Sequence, residues 1–159
     1  MKRVLFFLGQ LNDRDLEWMV LNGQKLELKI GDTLIQKGNH VDNLYILLSG
    51  QLSICSDSIG GKEIALLGAG EVIGEMSFLE SRPPSVSVIS KDTSVVYKIS
   101  RNAIETRLSS NPDFKANFYY SLALFLSNRL RKTTDQLGYG IVEEEDLIDA
   151  KVLDVVSQA

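Results

Sequence analysis

Val72-Ile73-Gly74-Glu75-Met76-Ser77-Phe78-Leu79-Glu80-Ser81-Arg82-Pro83-Pro84-Ser85-Val86-Ser87-Val88 is the most informative stretch of this chain. It leaves one apolar strand at Val72-Ile73 and enters another over Ser85–Ser90. Between them, Gly74-Glu75 opens a segment that suits one short helix starting near Glu75. The first N–H groups of a helix have no intrahelical partner, so a helix start is a ready site for an anion.

The residues upstream read as strands separated by glycine turns. Leu26, Leu28 and Ile30 alternate with Lys25, Glu27 and Lys29, the period of a half-buried strand. Gly31-Asp32 predicts a turn and Thr33-Leu34-Ile35 a second strand. Leu44 to Leu48 is a continuous apolar run that stops at Ser49-Gly50, and Gln51 to Ser56 is expected to be its hairpin partner. Gly60-Gly61 turns the chain into Glu63–Leu67, and Gly68 and Gly70 precede Val72-Ile73. Thr93 to Ile99 follows the Ser85–Ser90 strand. About eight short strands at ~8–12-residue spacing indicate a sandwich or roll, a class whose interior holds side chains or one small ligand. Internal repeats of useful length are lacking, which removes a solenoid.

Helices flank this core. Asn12 is positioned to cap a helix with Asp13 and Asp15 in its first turn, apolar positions at Leu16, Met19 and Val20, and a stop at Asn22-Gly23. Beyond the strands, Ser100 caps a helix running to about Ser109. Asn111-Pro112 then opens the longest helix, Asp113 to Leu137, with proline where its missing N–H costs nothing. Phe114, Phe118 and Phe125 form one apolar stripe that suits covering the roll. Tyr119, Leu122, Leu126, Leu130 and Leu137 form a second, with Thr133 continuing its spacing. Two stripes exceed what one small roll covers. The reading preferred over a fully packed core helix is a parallel homodimer seam through the 113–137 helix.

Composition bounds the function. At 159 residues the chain accommodates one domain and a short appendage, and 44% hydrophobic with 24% charged residues is an ordinary globular balance. A formal charge of −4 argues against a nucleic-acid partner. One cysteine, Cys55, excludes an internal disulfide framework and fits a reducing compartment. Met1-Lys2-Arg3 and the apolar run Val4–Leu8 are too short for a bilayer span of ~20 residues and for a signal-peptide core of ~7–15, so a cytoplasmic location is expected. The one histidine, His40, follows Gly38-Asn39 in a turn with no metal-ligand spacing around it, and reads as a surface residue. P-loop, dinucleotide and nucleophile-elbow motifs are missing, so neither catalysis nor a resident cofactor is expected.

Set among these elements, Gly74-Glu75-Met76-Ser77-Phe78-Leu79, a short gap and then Pro84-Ser85-Val86 resembles the phosphate-binding cassette of cyclic-nucleotide-binding domains. The similarity extends over about residues 5–137. It implies a mainly β fold, an eight-stranded antiparallel β-roll (jelly roll) with an N-terminal helix and two C-terminal helices. Residues 1–137 would be the domain, with the roll over 24–100 and closing helices over 101–137, and 138–159 an acidic C-terminal tail. By the same resemblance, Glu75 accepts a hydrogen bond from a ribose 2′-hydroxyl and Ser85 adds a hydroxyl and a backbone donor. The implied ligand site takes in Ile64, Leu67, Ile73, Gly74, Glu75, Met76, Ser77, Arg82, Pro84, Ser85 and Val86. Asn128 to Leu137 resembles the matching helix of bacterial catabolite-activator proteins, which adds Thr133-Thr134 as purine contacts. Arg129, four residues before Thr133, shares its face. Equally, these are polar residues at a helix end.

The sequence departs from the family at one point. The family's arginine, which bonds the cyclic phosphate, falls at Pro84, which has neither charge nor N–H. A buried anion without its cation loses about 3–5 kcal/mol, or ~10²–10³-fold in affinity. Three readings stay open: Arg82 reaches in from two residues upstream; the pocket takes cyclic AMP or cyclic GMP weakly, or another, less anionic ligand; or ligand binding is lost. The tail 138–159 is too short for the helix-turn-helix of catabolite activators, so DNA binding is not expected. Val4–Leu11, Glu17-Trp18-Met19, Arg82-Pro83-Pro84-Ser85 and Leu137-Gly138-Tyr139-Gly140 look like a group of stand-alone cyclic-nucleotide-binding-domain proteins of photosynthetic bacteria, some associated with bacteriocin-type export. The expected function is a sensor module with an altered cassette that signals through its C-terminal helices. The alternative is a ligand-free scaffold docking on a partner such as an exporter component of a transport system.

Overall fold

A computed structural model describes residues 9–56 and 60–137. The expectations for Met1–Leu8 and for the tail 138–159 fall outside the described residues. The elements in chain order are α1 (Asp13–Asn22), β1 (Gly23–Leu28), β2 (Thr33–Ile35), β3 (Asn43–Ser49), β4 (Leu52–Ser56), β5 (Lys62–Leu67), β6 (Val72–Ile73), α2 (Glu75–Glu80), β7 (Ser87–Ser90), β8 (Ser94–Ser100), α3 (Arg101–Ser110) and α4 (Pro112–Leu137).

The eight strands form two four-stranded antiparallel sheets, ordered β1-β8-β3-β6 and β2-β7-β4-β5. Between them lies a core of Leu28, Ile35, Tyr45, Leu47, Leu52, Leu67, Ile73, Val88 and Val96. This is the expected β-roll.

Two strand expectations need correction. The apolar run at 44–48 and the strand after Gly50 are not hairpin partners: β3 pairs with β8 and β6, and β4 with β5 and β7. The ladder slips between Leu47 and Ser49, and Gly50 turns at φ +94 against Ser94, where a Cβ would lie 2.6 Å from the Ser94 Cα. The Ser94 hydroxyl accepts from Gln51 N at 3.2 Å, so this corner passes the chain from one sheet to the other. A short loop after an apolar strand reads the same whether it pairs strands or changes sheets. The alternation over 24–30 also ends early, at Leu28, leaving Ile30 exposed. Asp32 closes a turn there, its Oδ2 accepting from Lys29 N at 2.8 Å while its own N donates to Lys29 O.

The helices start where their caps predict. The Asn12 side chain accepts from Asp15 N at 2.9 Å, and Asp15 returns a bond to Asn12 N. In α1, Met19 is buried and Leu16 half-buried, but Val20, expected on the apolar face, is exposed. Ser100 Oγ accepts from Ala103 N at 3.1 Å, and Asn111 Oδ1 from Phe114 N at 3.0 Å.

The chain divides into two compact units, Met1–Leu122 and Ala123–Ala159, with the boundary inside α4. In the first, Phe114, Phe118 and Leu122 are fully buried: Phe114 stacks on Phe118 at 5.4 Å, and Trp18 of α1 tilts onto Phe114 at 5.5 Å. In the second, Phe125 is buried, Leu126 half-buried and Leu130 67% exposed. The second stripe, which also begins with the exposed Tyr119, is therefore only partly covered within one chain.

Candidate functional site

β6 delivers the cassette. Val72 and Ile73 pair with Ile46 and Tyr45 of β3 and are buried, which anchors the residue that follows. Gly74 turns at φ +90, and a Cβ there would meet the Asn43 carbonyl at 3.1 Å, so both conformation and space select glycine. From this turn α2 runs over Glu75–Glu80, with Phe78 N donating to Gly74 O at 3.0 Å. Gly74 supplies no side-chain cap, and the first-turn N–H groups of such a helix lack intrahelical acceptors. Glu75 is 3% exposed at the first helical position, with Ser77 buried one residue beyond Met76. The other buried glutamate flanking β6, Glu71, is engaged in a turn: its Oε2 accepts from Gly68 N at 2.6 Å.

The segment after α2 is held by backbone. The Pro84 carbonyl accepts from Gly38 N at 2.9 Å, and Ser87 Oγ from Lys37 N at 3.0 Å, which stitches this entry to the loop after β2. Strand pairing begins only at Ser87, two residues later than expected, after the Pro84 carbonyl has turned to the loop following β2. The Arg82 side chain is 80% exposed, its Nε 3.9 Å from Glu80 Oε2.

The residues named from sequence divide into three groups. Ile73, Gly74, Glu75 and Ser77 lie together at the start of α2, all but Gly74 buried, while Met76 is 60% exposed on the same short helix. Pro84 and Val86 are half-buried and Ser85 exposed, as is Arg82. On β5, Leu67 is buried and Ile64 is 48% exposed. Arg129, Thr133 and Thr134 belong to the second unit. There the Arg129 guanidinium lies 4.6 Å over the Phe125 ring, and Thr133 Oγ1 donates to the Arg129 carbonyl at 3.0 Å, so the shared face is a bonded one.

Sequence reading missed three features. Arg101, the first residue of α3, is 15% exposed in its side chain and binds the far end of α2: Nη1 to Ser77 O (3.3 Å), Nη2 to Phe78 O (3.1 Å) and Ser81 Oγ (2.8 Å). Its Nε bonds Glu105 Oε1 at 2.8 Å. Arg107 bonds the buried Asp15 at 3.0 Å and lies about 5 Å over Trp18 and Phe114, a pair spanning α1 and α3. A cleft of about 390 Å³ runs along β2 and the following loop, with Gln36, Asn43 and Tyr45 in its wall. The bonds of Arg101 to α2 and of Arg107 to Asp15 join residues twenty or more positions apart and leave no local sequence signal.

Electrostatics elsewhere are modest. His40 is exposed beside Asp42 at 3.3 Å. The Glu63 carboxyl is held below its ordinary value by hydrogen bonds from Lys91 and then Ser53. Among the described residues no group of three His, Cys, Asp or Glu side chains could hold a metal ion, and no helix is long and apolar enough to cross a membrane.

The description of the cyclic nucleotide-binding domain matches residues 25–111, which covers the roll, the cassette and α3. The chain belongs to the cyclic nucleotide-binding domain family. It is 28% identical over 129 residues to the cAMP-activated global transcriptional regulator CRP of Escherichia coli, covering 79% of this chain and 60% of that one. A cyclic nucleotide-binding domain from Methylobacillus flagellatus superposes with a TM-score of 0.74 at 23% identity, over 85% of this chain and 82% of that one. The regulatory subunit of a cAMP-independent protein kinase A from Trypanosoma brucei superposes with a TM-score of 0.60 at 25% identity, over 74% and 46%. The chain spans three fifths or less of the length of the curated relatives it matches.

Proposed function

We propose that this protein is a non-enzymatic regulatory module whose altered cassette takes a cyclic nucleotide weakly, or a less anionic ligand in its place, and signals through its C-terminal helices. One observation carries the reading. The position that supplies the phosphate-binding arginine in the family resemblance holds Pro84, whose carbonyl is committed to Gly38, and the nearest arginine in sequence, Arg82, stands in solvent beside Glu80. The buried Glu75 and Ser77 at the start of α2 support a retained ribose side, and proline at position 84 in place of the resemblance's arginine supports a weakened phosphate side. A cyclic phosphate entering it would forgo a charge-assisted bidentate bond. The trypanosome subunit belongs to a protein kinase A described as cAMP-independent, which supports the idea that this fold serves regulators outside cyclic AMP control.

On this reading residues 1–137 form the sensing domain with 138–159 as an appendage. The exposed Tyr119 and Leu130 and the half-buried Leu126 support a homodimer seam along α4. A second reading, a ligand-free scaffold, draws on the exposed Met76 and Leu79 of α2, an apolar pair at the mouth of the cassette.

Titration calorimetry with cyclic AMP, cyclic GMP and a cyclic dinucleotide separates the two. The sensor reading expects measurable heat with at least one of them, at an affinity about 10²–10³-fold weaker than an arginine-bearing cassette gives. Absence of heat with all three removes the cyclic-nucleotide form of the reading and puts the scaffold first.

A further inference from the structure

The cassette helix has a second anchor, at its carboxyl end. Its last turn closes with Ser81 N donating to Ser77 O, and Ser81 itself sits in the left-handed region at φ +56, an uncommon conformation for a residue with a Cβ. The final carbonyls of a helix have no intrahelical donors and carry the negative end of its dipole. Arg101 meets them with a planar fork. Two of its nitrogens reach the carbonyls of Ser77 and Phe78 and the hydroxyl of Ser81, the guanidinium lies 5.3 Å over the Phe78 ring, and the third nitrogen bonds Glu105. Phe78 in turn meets Phe118 edge-on at 5.7 Å. Because Arg101 is the first residue of α3 and Glu105 lies one turn further along it, the fork is fixed to α3 at its root and at Nε.

We propose that Arg101 is the positioning residue that makes α2 and the start of α3 shift as one body, so that a change in the cassette is passed to the closing helices through a guanidinium. This rests on the sensor reading above for its biological use, but the mechanical link stands or falls without any ligand. Four acceptors at defined positions hold one rigid planar group, and a lysine, a point charge with no fork, does not replace it. Displacing α2 must either break these bonds or carry Arg101 with it.

The test is amide hydrogen exchange on the full-length unliganded protein. Met76→Gly, at an exposed position of α2, loosens that helix and is expected to raise exchange of its amides about fivefold. With Arg101 present, the amides of Glu105 and Thr106 in α3 should follow by a comparable factor. With Arg101→Gln in the same background they should not, and Arg101→Lys should restore less than half of the coupled response. Amides of β1 and β4, neither of which adjoins α2 or α3 in the chain, report global stability and should be the same in all these proteins. The proposal is overturned if α3 ignores Met76→Gly while Arg101 is in place, if Arg101→Gln leaves the coupled response intact, or if lysine restores it in full. Cyclic-nucleotide titration on the same proteins is a separate arm: failure of every protein to bind removes the cyclic-nucleotide form of the sensor reading and leaves the exchange result standing.

Discussion

At its amino end the cassette helix begins on a glycine, and the nearest arginine in sequence, Arg82, points to solvent; at its carboxyl end the same helix runs into an arginine that holds two of its carbonyls. Both ends present unpaired backbone dipoles, so both attract an opposite charge. The carboxyl end obtains its cation from within the chain, because Arg101 follows directly on β8 and is delivered wherever that strand ends. The amino end carries a carboxylate of its own, Glu75, in its first turn. On the proposed function, Pro84 stands where the family resemblance puts the phosphate-binding arginine, so that reading has rigidity and ligand affinity set by different residues.

The harshest way to break this comparison is to remove the floor beneath the clamped end. Phe118 is fully buried, touches Phe78 edge-on and stacks on Phe114. Truncation of such a ring costs about 3–5 kcal/mol through lost transfer energy and a residual cavity. Phe118→Ala is expected to lower the unfolding free energy of the first unit by that amount, read as a lower urea midpoint at unchanged slope, since the ring packs on Phe78 and Phe114. A loss below about 1 kcal/mol would show that the site collapses to fill the cavity and that α2 does not depend on this floor.

The opposite end can be sharpened by giving it the group it lacks. Pro84→Arg leaves the carbonyl that accepts from Gly38 N and places a guanidinium at the position where the family resemblance has its phosphate-binding arginine. Cyclic AMP affinity is expected to rise about tenfold or more, which is ~1.4 kcal/mol. Calorimetry against the parent protein measures it. Unchanged affinity would mean that a further obstruction occupies the phosphate position, Val86 being the first residue to replace.

These two ends were unequally legible in the sequence. Gly74-Glu75, the caps Asn12, Ser100 and Asn111, and the strand sequence are local signals: each depends on residue types a few positions apart, and each falls where the caps and turns predict. What spans the chain was invisible. The pairing of β3 with β8 instead of β4 depends on which sheet Gly50 turns toward, and that is decided by its contact with Ser94. Asp15 reads as a first-turn residue favoured by the helix dipole, yet it is almost fully buried and bonded to Arg107 across ninety-odd residues. Arg101 reads as an ordinary polar residue after a cap. Two of its acceptors on α2 are carbonyls, which no sequence pattern labels. The candidate site is legible where residue identity matters, at Glu75 and Pro84, and illegible where backbone supplies the partner.

The mildest lever is an exposed ion pair that serves as the counterpart of the Arg101 clamp. On β5 the Glu63 carboxylate accepts from Lys91 Nζ at 2.6 Å and from Ser53 Oγ at 2.8 Å, and these bonds depress its pKa below the ordinary 4.5. A carboxylate that is more acidic in the folded than in the unfolded chain stabilises the fold above the unfolded value; that contribution is lost as pH falls through the folded value, because the unfolded chain takes up the proton first. Glu63→Gln keeps the oxygen that accepts from Ser53 and Lys91 and removes the charge. Urea midpoints followed from about pH 7 down to about pH 3 should therefore show the parent more stable near neutrality and the two proteins converging in acid. Added salt should shrink the difference at neutral pH, since an exposed pair is screened. The α2 side of the Arg101 clamp differs: its acceptors there are two carbonyls and a hydroxyl, which are uncharged, and the Arg101 side chain is mostly buried, with its one carboxylate partner, Glu105, on α3. A difference between parent and Glu63→Gln that stays flat with pH would show that Lys91 and Glu63 do not pair in solution.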